Sequence, residues 1–318
     1  VHKDSGREAL AGPANRILLL DDRPTNYEAW DIDPFAWETA DDAQGAETMT
    51  VVETGPLRAA VRFERGLGRH SRLVQTVSLD AGAGFLRFET VLDWKDRRTL
   101  VKALFPLAVT ARHATYETMF GVAERPTHAN TDADAAMYEV PGQRWADLSE
   151  PGFGVSLLSD ARHGFSCLGG DMTLTLARGP QSPDPGADIG EHRFAYALYP
   201  HAGDWREAGS VRQGACFARP MLWLDGAPAA ALAAPLVASS AANVVVDTVK
   251  PAEDGAGWIV RLYESNGVRG PATLTFGVPV KAVSLSNTLE EPGPDLALKN
   301  GAVTLDLRPF QIATLRVL

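Results

Sequence analysis

Short apolar runs broken by turn residues dominate the chain, and amphipathic windows of helical length are scarce. Runs with strand composition recur at Met49–Glu53, Arg58–Glu64, Arg72–Leu79, Phe85–Trp94, Leu100–Val109, Thr115–Phe120, Gly154–Leu158, Gly164–Leu168, Met172–Leu176 and Arg193–Leu198. Stretches such as DAGAG and DPGAD punctuate them, as turns do between antiparallel strands. In FLRFETVLDW, Phe85, Arg87, Glu89 and Asp93 alternate imperfectly with Leu86, Phe88, Val91 and Trp94, so one face is expected to be dry and the other wet. Residues 1–220 therefore read as one large all-β domain. From Asp225 the composition changes to GAPAAALAAPLVASSAAN, small residues without aromatic anchors, which predicts a linker or short helix over 221–242. After it, two strands flank the PAEDGAG turn, and VSLSNTLE, AVTLDL and IATLRVL add three more, predicting a small β-sandwich over 243–318.

At 318 residues the chain has room for two domains. A hydrophobic content of 45% with 22% charged residues is that of a soluble globular protein, and 21 Pro with 29 Gly accord with many turns. The net charge of −10 disfavours nucleic acid and anionic membrane as partners. Cys167 and Cys216 are too few and too far apart for a disulfide framework or a paired-cysteine zinc site, and both read as buried reduced thiols. No apolar run reaches the ~18 residues of a membrane span, and VHKDSGREAL has no signal-peptide core, so a cytoplasmic location is expected. The chain begins without Met and reads as a piece of something longer.

Four stretches carry chemistry. His2-Lys3-Asp4 has the spacing of a metal-binding pair but lacks converging ligands, and the seven histidines are scattered without a zinc spacing. The Asp21–Asp33 stretch, DDRPTNYEAWDID, sets acids around Tyr27 and Trp30. That composition suits sugar binding, because an aromatic face packs on C–H patches while carboxylates accept hydroxyl hydrogen bonds; a surface loop with one buried Trp is the plain alternative. A third stretch, RGPQSPDPGADIGEHRFAYALYPH, reads as a lid or an exposed connection. In the fourth, FGVAERPTHANT, Glu124, Arg125, His128 and Asn130 fall within a few residues after a strand-like run. Trp94 and Trp145 read as core anchors of the large domain, and Phe310 and Leu315 as core of the small one.

These segments, in this order, resemble the C-terminal half of glycoside hydrolase family 38 α-mannosidases, of the bacterial and vacuolar/cytosolic branch. The resemblance is carried by HKDSGREAL, DDRPTNYEAWDID, VLDWKDRRTLVKALFP, ATYETMFGVAERPTHANT, QRWADLSEPGFGVSLLSD, ARGPQSPDPGADIGEHRFAYALYPH, VKPAEDGAGWIVRLYESNGVRG and LDLRPFQIATLRV. It implies a large β-super-sandwich of galactose-mutarotase type followed by a small β-sandwich, both packed behind an upstream catalytic domain. It also implies a retaining enzyme that hydrolyses terminal α-mannosides with a divalent metal, usually zinc, where the nucleophile and metal ligands lie upstream. No catalytic residue, metal ligand or cofactor is then expected in this chain, and the chain alone should be inert, since retaining hydrolysis needs both carboxylates on one sugar.

The implied partners are the upstream catalytic domain of the same polypeptide and the α-mannoside, with homo-oligomerisation as an option. The first substrate-rim or interface candidates are Glu124, Arg125, His128 and Asn130, followed by Trp30, Asp31 and Asp33. Arg125 would hold a carboxylate of the catalytic domain, or pair with Glu124 at the domain interface. The competing hypothesis is a free-standing carbohydrate-binding module or mutarotase-like protein, in which His128 or His201 would face Glu117 or Glu124 across a cleft.

Overall fold

The computed structural model describes residues 1–43, 45–222, 225–226 and 235–318, so residues 223, 224 and 227–234 of the stretch read as linker lie outside it. Its contacts divide the chain into two units, Val1–Thr118 with Ala123–Pro220, and Met119–Val122 with Met221–Leu318. Every strand pairing is antiparallel, as the short, turn-punctuated runs require.

The strands up to Ala202 are β1 (Arg16–Asp21), β2 (Asp41–Asp42), β3 (Thr48–Thr54), β4 (Arg58–Leu67), β5 (Ser71–Asp80), β6 (Leu86–Trp94), β7 (Thr99–Pro106) and β8 (His113–Thr118). They continue as β9 (Gly121–Pro126), β10 (Val140–Pro141), β11 (Trp145–Glu150), β12 (Phe153–Ser159), β13 (Gly164–Leu168), β14 (Asp171–Ala177) and β15 (Gly190–Ala202). Among the described residues a 3-10 turn covers Pro34–Thr39, with the helices α1 (Asp132–Ala135) and α2 (Ser210–Ala218). One sheet has the order β10-β13-β14-β7-β1-β2 and the other β3-β4-β5-β6-β15-β12-β11-β8-β9. Phe88 on β6, Phe105 on β7 and Tyr196 on β15 meet between them at ring-centroid distances of 5.1–6.1 Å, so the two sheets share one core. Trp94 and Trp145 are fully buried, as core anchors should be.

The six-stranded sheet is covered on both faces. On β7, Val101, Ala103 and Phe105 face the shared core, whereas Leu100 and Leu104 face outward onto Leu18, Leu20 and Ala36. This explains why TLVKALFP shows no alternation and is interrupted only by Lys102, itself buried: a strand buried on both sides has no wet face to alternate with. The β6 alternation is cleaner than its composition suggests, because Phe88, Thr90, Leu92 and Trp94 point inward and Val91 lies on the wetter face with Glu89.

The second unit contains β16 (Val237–Ser239), β17 (Val244–Pro251), β18 (Trp258–Glu264), β19 (Gly270–Phe276), β20 (Val283–Ser286), β21 (Pro292–Asp295), β22 (Ala302–Leu307) and β23 (Ile312–Val317). Sheets β16-β19-β22 and β17-β18-β23-β20-β21 enclose a core that includes Leu274, Val303 and Leu315. Strands β17 and β18 pair through to Pro251 and Trp258 across the PAEDGAG turn. Two expectations change. Val237–Ser239, inside the stretch read as linker, is a strand because it pairs with β19. Phe310 is 37% exposed; it sits in a turn at φ 55°, its ring against Gly267 and not in the core.

Candidate functional site

The outward face of the six-stranded sheet carries a hollow of ligand size. Leu104, Thr173 and Ser166 lie directly opposite one another on β7, β14 and β13 and form its floor, with the Ser166 and Thr173 hydroxyls 2.6 Å apart. Trp37 of the 3-10 turn walls one side, and the segment from Pro126 to Tyr138 arches over the other, enclosing about 360 Å³. That volume is at the small end of ligand sites, which start near ~300 Å³.

The arch is stapled at both ends. At Thr127 the hydroxyl donates to the Ala111 carbonyl at 2.6 Å, and the carbonyl accepts from the Gly169 N–H at 2.6 Å. At the other end Tyr138 Oη donates to the Ile32 carbonyl, and Glu139 receives Lys102 Nζ and the Thr175 hydroxyl. Lys102 is fully buried on the outward face of β7, and burial pushes its ammonium down from the usual lysine range while Glu139 opposes the shift. Gly164 makes the pairing fit, since a Cβ there would lie 2.8 Å from Glu139 Oε1. Between the staples a Thr131/Asp134 capping box starts α1, each residue accepting the other's backbone N–H at 3.1 Å.

Of the seven candidates, only His128 lines this cavity. Its Nδ1 lies 3.5 Å from Asp134 Oδ2, is itself buried and has no hydrogen-bond partner among the described residues, while the side chain as a whole is 41% exposed. Glu124 and Arg125 occupy strand β9, a further strand beyond the run that ends at Phe120. Neighbours on a strand point to opposite faces, so the two do not pair with each other. Glu124 is exposed without an ion pair among the described residues. Arg125 reaches Met137 Sδ at 3.8 Å and lies 5.9 Å from the Tyr116 ring centroid, with its buried Nε unpartnered. Asn130 is exposed and makes no side-chain hydrogen bond among the described residues.

The second candidate stretch is organised from a residue that sequence reasoning passed over. Arg178, at the start of the Pro/Gly/Asp-rich loop, grips Asp22 through two hydrogen bonds of 2.7 and 2.9 Å and donates to the Glu28 and Asp31 carbonyls at 3.0 and 2.6 Å. Asp33 closes the same loop by accepting from Thr25 N–H and Oγ1, so its carboxylate is committed, and Asp31 Oδ1 caps the N–H of Ile32. Trp30 projects outward, 75% exposed, and Tyr27 is 72% exposed at φ 53°. The plain alternative of one buried Trp therefore does not hold for Trp30; Trp37, half-buried nearby in sequence, is the one that packs.

The histidine–carboxylate pairs proposed for a mutarotase-like cleft do not form. Glu117 is buried and bound through both oxygens to Arg144, at 2.9 and 2.5 Å. His201 instead meets Asp147, a partner not anticipated, with Nε2 at 2.8 Å from Oδ2. Ser156 donates to the same carboxylate oxygen at 2.6 Å and contacts Ser210 of α2 at 2.8 Å. The arrangement has the residue types of a Ser–His–Asp triad without its geometry: carboxylate and hydroxyl share one ring nitrogen, and the group is buried from substrate. A Cβ at Gly154 would come within 2.5 Å of His201 Cε1, so a glycine in GFG is required by this network.

His2 Nδ1 contacts Ser5 Oγ at 2.8 Å, and no group of three or more His, Cys, Asp or Glu converges among the described residues. The donor set thus does not fit a divalent metal. Cys167 is buried and its thiol is pushed up to about 12, whereas Cys216 is exposed on α2, contrary to the expectation of two buried thiols; both are free. Among the described residues no helix is long and apolar enough to cross a membrane.

Comparison with known sequences matches residues 1–186 to the glycosyl hydrolases family 38 C-terminal domain and residues 243–315 to the family 38 C-terminal beta sandwich domain. The chain belongs to glycosyl hydrolase family 38. Alpha-mannosidase 2C1 of Homo sapiens is 40% identical over 98% of this chain, which covers 31% of that protein. Alpha-mannosidase G of Dictyostelium discoideum is 33% identical over 99% of the chain and is covered to 30%. The chain therefore spans about a third of the length of these relatives. In fold, it resembles an alpha-mannosidase from Enterococcus faecalis V583 with a TM-score of 0.75 at 18% identity, covering 95% of this chain and 38% of that one.

Proposed function

We propose that this family 38 chain is the C-terminal, non-nucleophile portion of a retaining, metal-dependent α-mannosidase that hydrolyses terminal α-mannosides. The observation that supports it is the ordered match of both C-terminal family profiles, together with relatives named as α-mannosidases of which the chain spans only 30–31%. The nucleophile, the acid/base carboxylate and the divalent metal, zinc in this reading, belong to the part of the polypeptide upstream. This chain supplies the β scaffold on which that part rests, and the rim residues lie on it: His128 at the cavity, Trp30 on the outward loop, and Glu124, Arg125 and Asn130 alongside. Arg125, with no carboxylate among the described residues, suits an acidic group of the catalytic domain. Asp31 and Asp33 hold the loop that presents Trp30. A cytoplasmic setting is part of the same reading and is supported by the two free thiols.

The test is hydrolysis of p-nitrophenyl α-mannoside. A polypeptide carrying this chain behind its upstream region should turn the substrate over in a metal-dependent manner, and the 318-residue chain alone should not. Turnover by the isolated chain would sink the assignment of the nucleophile upstream.

A further inference from the structure

We propose that the cavity between Trp37 and the Pro126–Tyr138 arch is a binding site for a single neutral hexose ring. The inference deepens the reading above, on which it rests for the choice of mannose as probe, by placing an uncharged sugar at a defined set of side chains.

Size and chemistry agree on the ligand. The hollow of about 360 Å³ is closed by apolar surface from Trp37, Leu104 and Met137, the kind of wall that covers the C–H face of a pyranose. Its polar groups are hydrogen-bonding partners for hydroxyls: the carboxylate of Asp171, the carboxylate of Asp134, whose Oδ2 also accepts the Thr131 N–H, the Ser166 and Thr173 hydroxyls of the floor, and the part-exposed ring of His128 at the edge. Among the described residues no Lys or Arg lines the cavity, and the buried Lys102 beside Trp37 is already committed to Glu139 and Thr175. A site with two carboxylates and no lining cation repels phosphate and uronate, so phosphorylated or acidic sugars are excluded and neutral ones admitted.

The cavity is also preformed. Both ends of its arch are fixed by hydrogen bonds that do not involve the lining acids, at Thr127 on one side and at Tyr138 and Glu139 on the other. The floor is three strands wide and buried beneath by the shared core. A ligand entering such a hollow spends little on ordering the protein, which is the condition under which a small, weakly apolar molecule binds measurably.

Calorimetric titration of the 318-residue chain with methyl α-mannopyranoside tests the proposal. Saturable binding at one site per chain is expected, with affinity reduced about tenfold or more in both His128→Ala and Asp171→Asn, as for loss of a hydrogen bond to a charged or aromatic nitrogen partner. Mannose 6-phosphate should bind at least about tenfold more weakly than the neutral sugar. Asp171 opens a strand at the exposed end of the cavity, so its variant carries the test if the His128 variant does not fold. Absence of saturable binding to the folded wild type, unchanged affinity in the variants, or equal affinity for the phosphorylated sugar would each overturn it. If the longer polypeptide hydrolyses α-mannosides while this chain binds none, the cavity proposal falls and the proposed activity stands; sugar binding without any hydrolysis by the longer polypeptide would have the opposite meaning.

Discussion

Two histidine–aspartate pairs in the first unit use the same residue types and end in opposite roles. His201 and Asp147 are 2.8 Å apart and 3% and 1% exposed, locked among serines. His128 and Asp134 are 3.5 Å apart and 41% and 22% exposed at the edge of a cavity. The first pair lies where strands β11, β12 and β15 meet helix α2, so every polar atom it buries must be satisfied internally. The second lies on an arch held at its two ends, where the His128 ring stays 41% exposed at the cavity edge. Burial and partner count, and not residue type, separate a structural network from a ligand-facing one.

If that distinction holds, the largest effect belongs to the buried pair. Replacing Asp147 by Ala strands His201 and Ser156 in the core and should cost ~3–5 kcal/mol of unfolding free energy, measured by denaturant titration; His128→Ala, at the cavity edge, should stay within ~0.5 kcal/mol of wild type. Similar costs for the two variants would erase the contrast. A buried carboxylate elsewhere sharpens it. Burial pushes the Asp96 carboxyl up, but hydrogen bonds from Ser71 Oγ and the backbone N–H groups of Arg69, His70 and Ser71 outweigh it and hold the group below the usual carboxylate range. A depressed acid contributes stability that is present above the unfolded value near ~3.9 and lost as pH falls through the folded one. The stability gap between wild type and Asp96→Asn should therefore be widest at neutral pH and shrink below about pH 4, read from melting temperatures across that range.

How much of this was legible in the sequence follows from the range of the forces involved. Alternation and turn residues act locally, so the all-β class and most strand positions from Met49 to Leu198 could be read directly, and the buried Trp94 and Trp145 with them. Strand β1, RILLLD, and strand β9, GVAERP, were missed because one is buried on both faces and the other is a short sheet edge carrying charges, so neither alternates. His128 was legible as chemistry, but its cavity is assembled from β7, β13, β14 and the 3-10 turn, segments as much as 139 residues apart from Pro34 to Thr173, and no local pattern encodes that meeting. Arg178 stayed hidden for the same reason: its partners Asp22, Glu28 and Asp31 lie about 150 residues upstream. Gly154 and Gly164 were the available signals, since glycines inside strands mark places where another group approaches closely, here His201 and Glu139.

The most direct test of the contrast is diethyl pyrocarbonate modification of the native chain, mapped by mass spectrometry with and without methyl α-mannopyranoside. His70, His113 and His163 are exposed and serve as internal controls. His128 should react in the free chain and be protected by the sugar, while His201 stays unmodified in both conditions. Modification of His201 at the rate of the exposed controls, or reaction of His128 that the sugar does not change, would contradict the assignment of one pair to the scaffold and the other to a ligand.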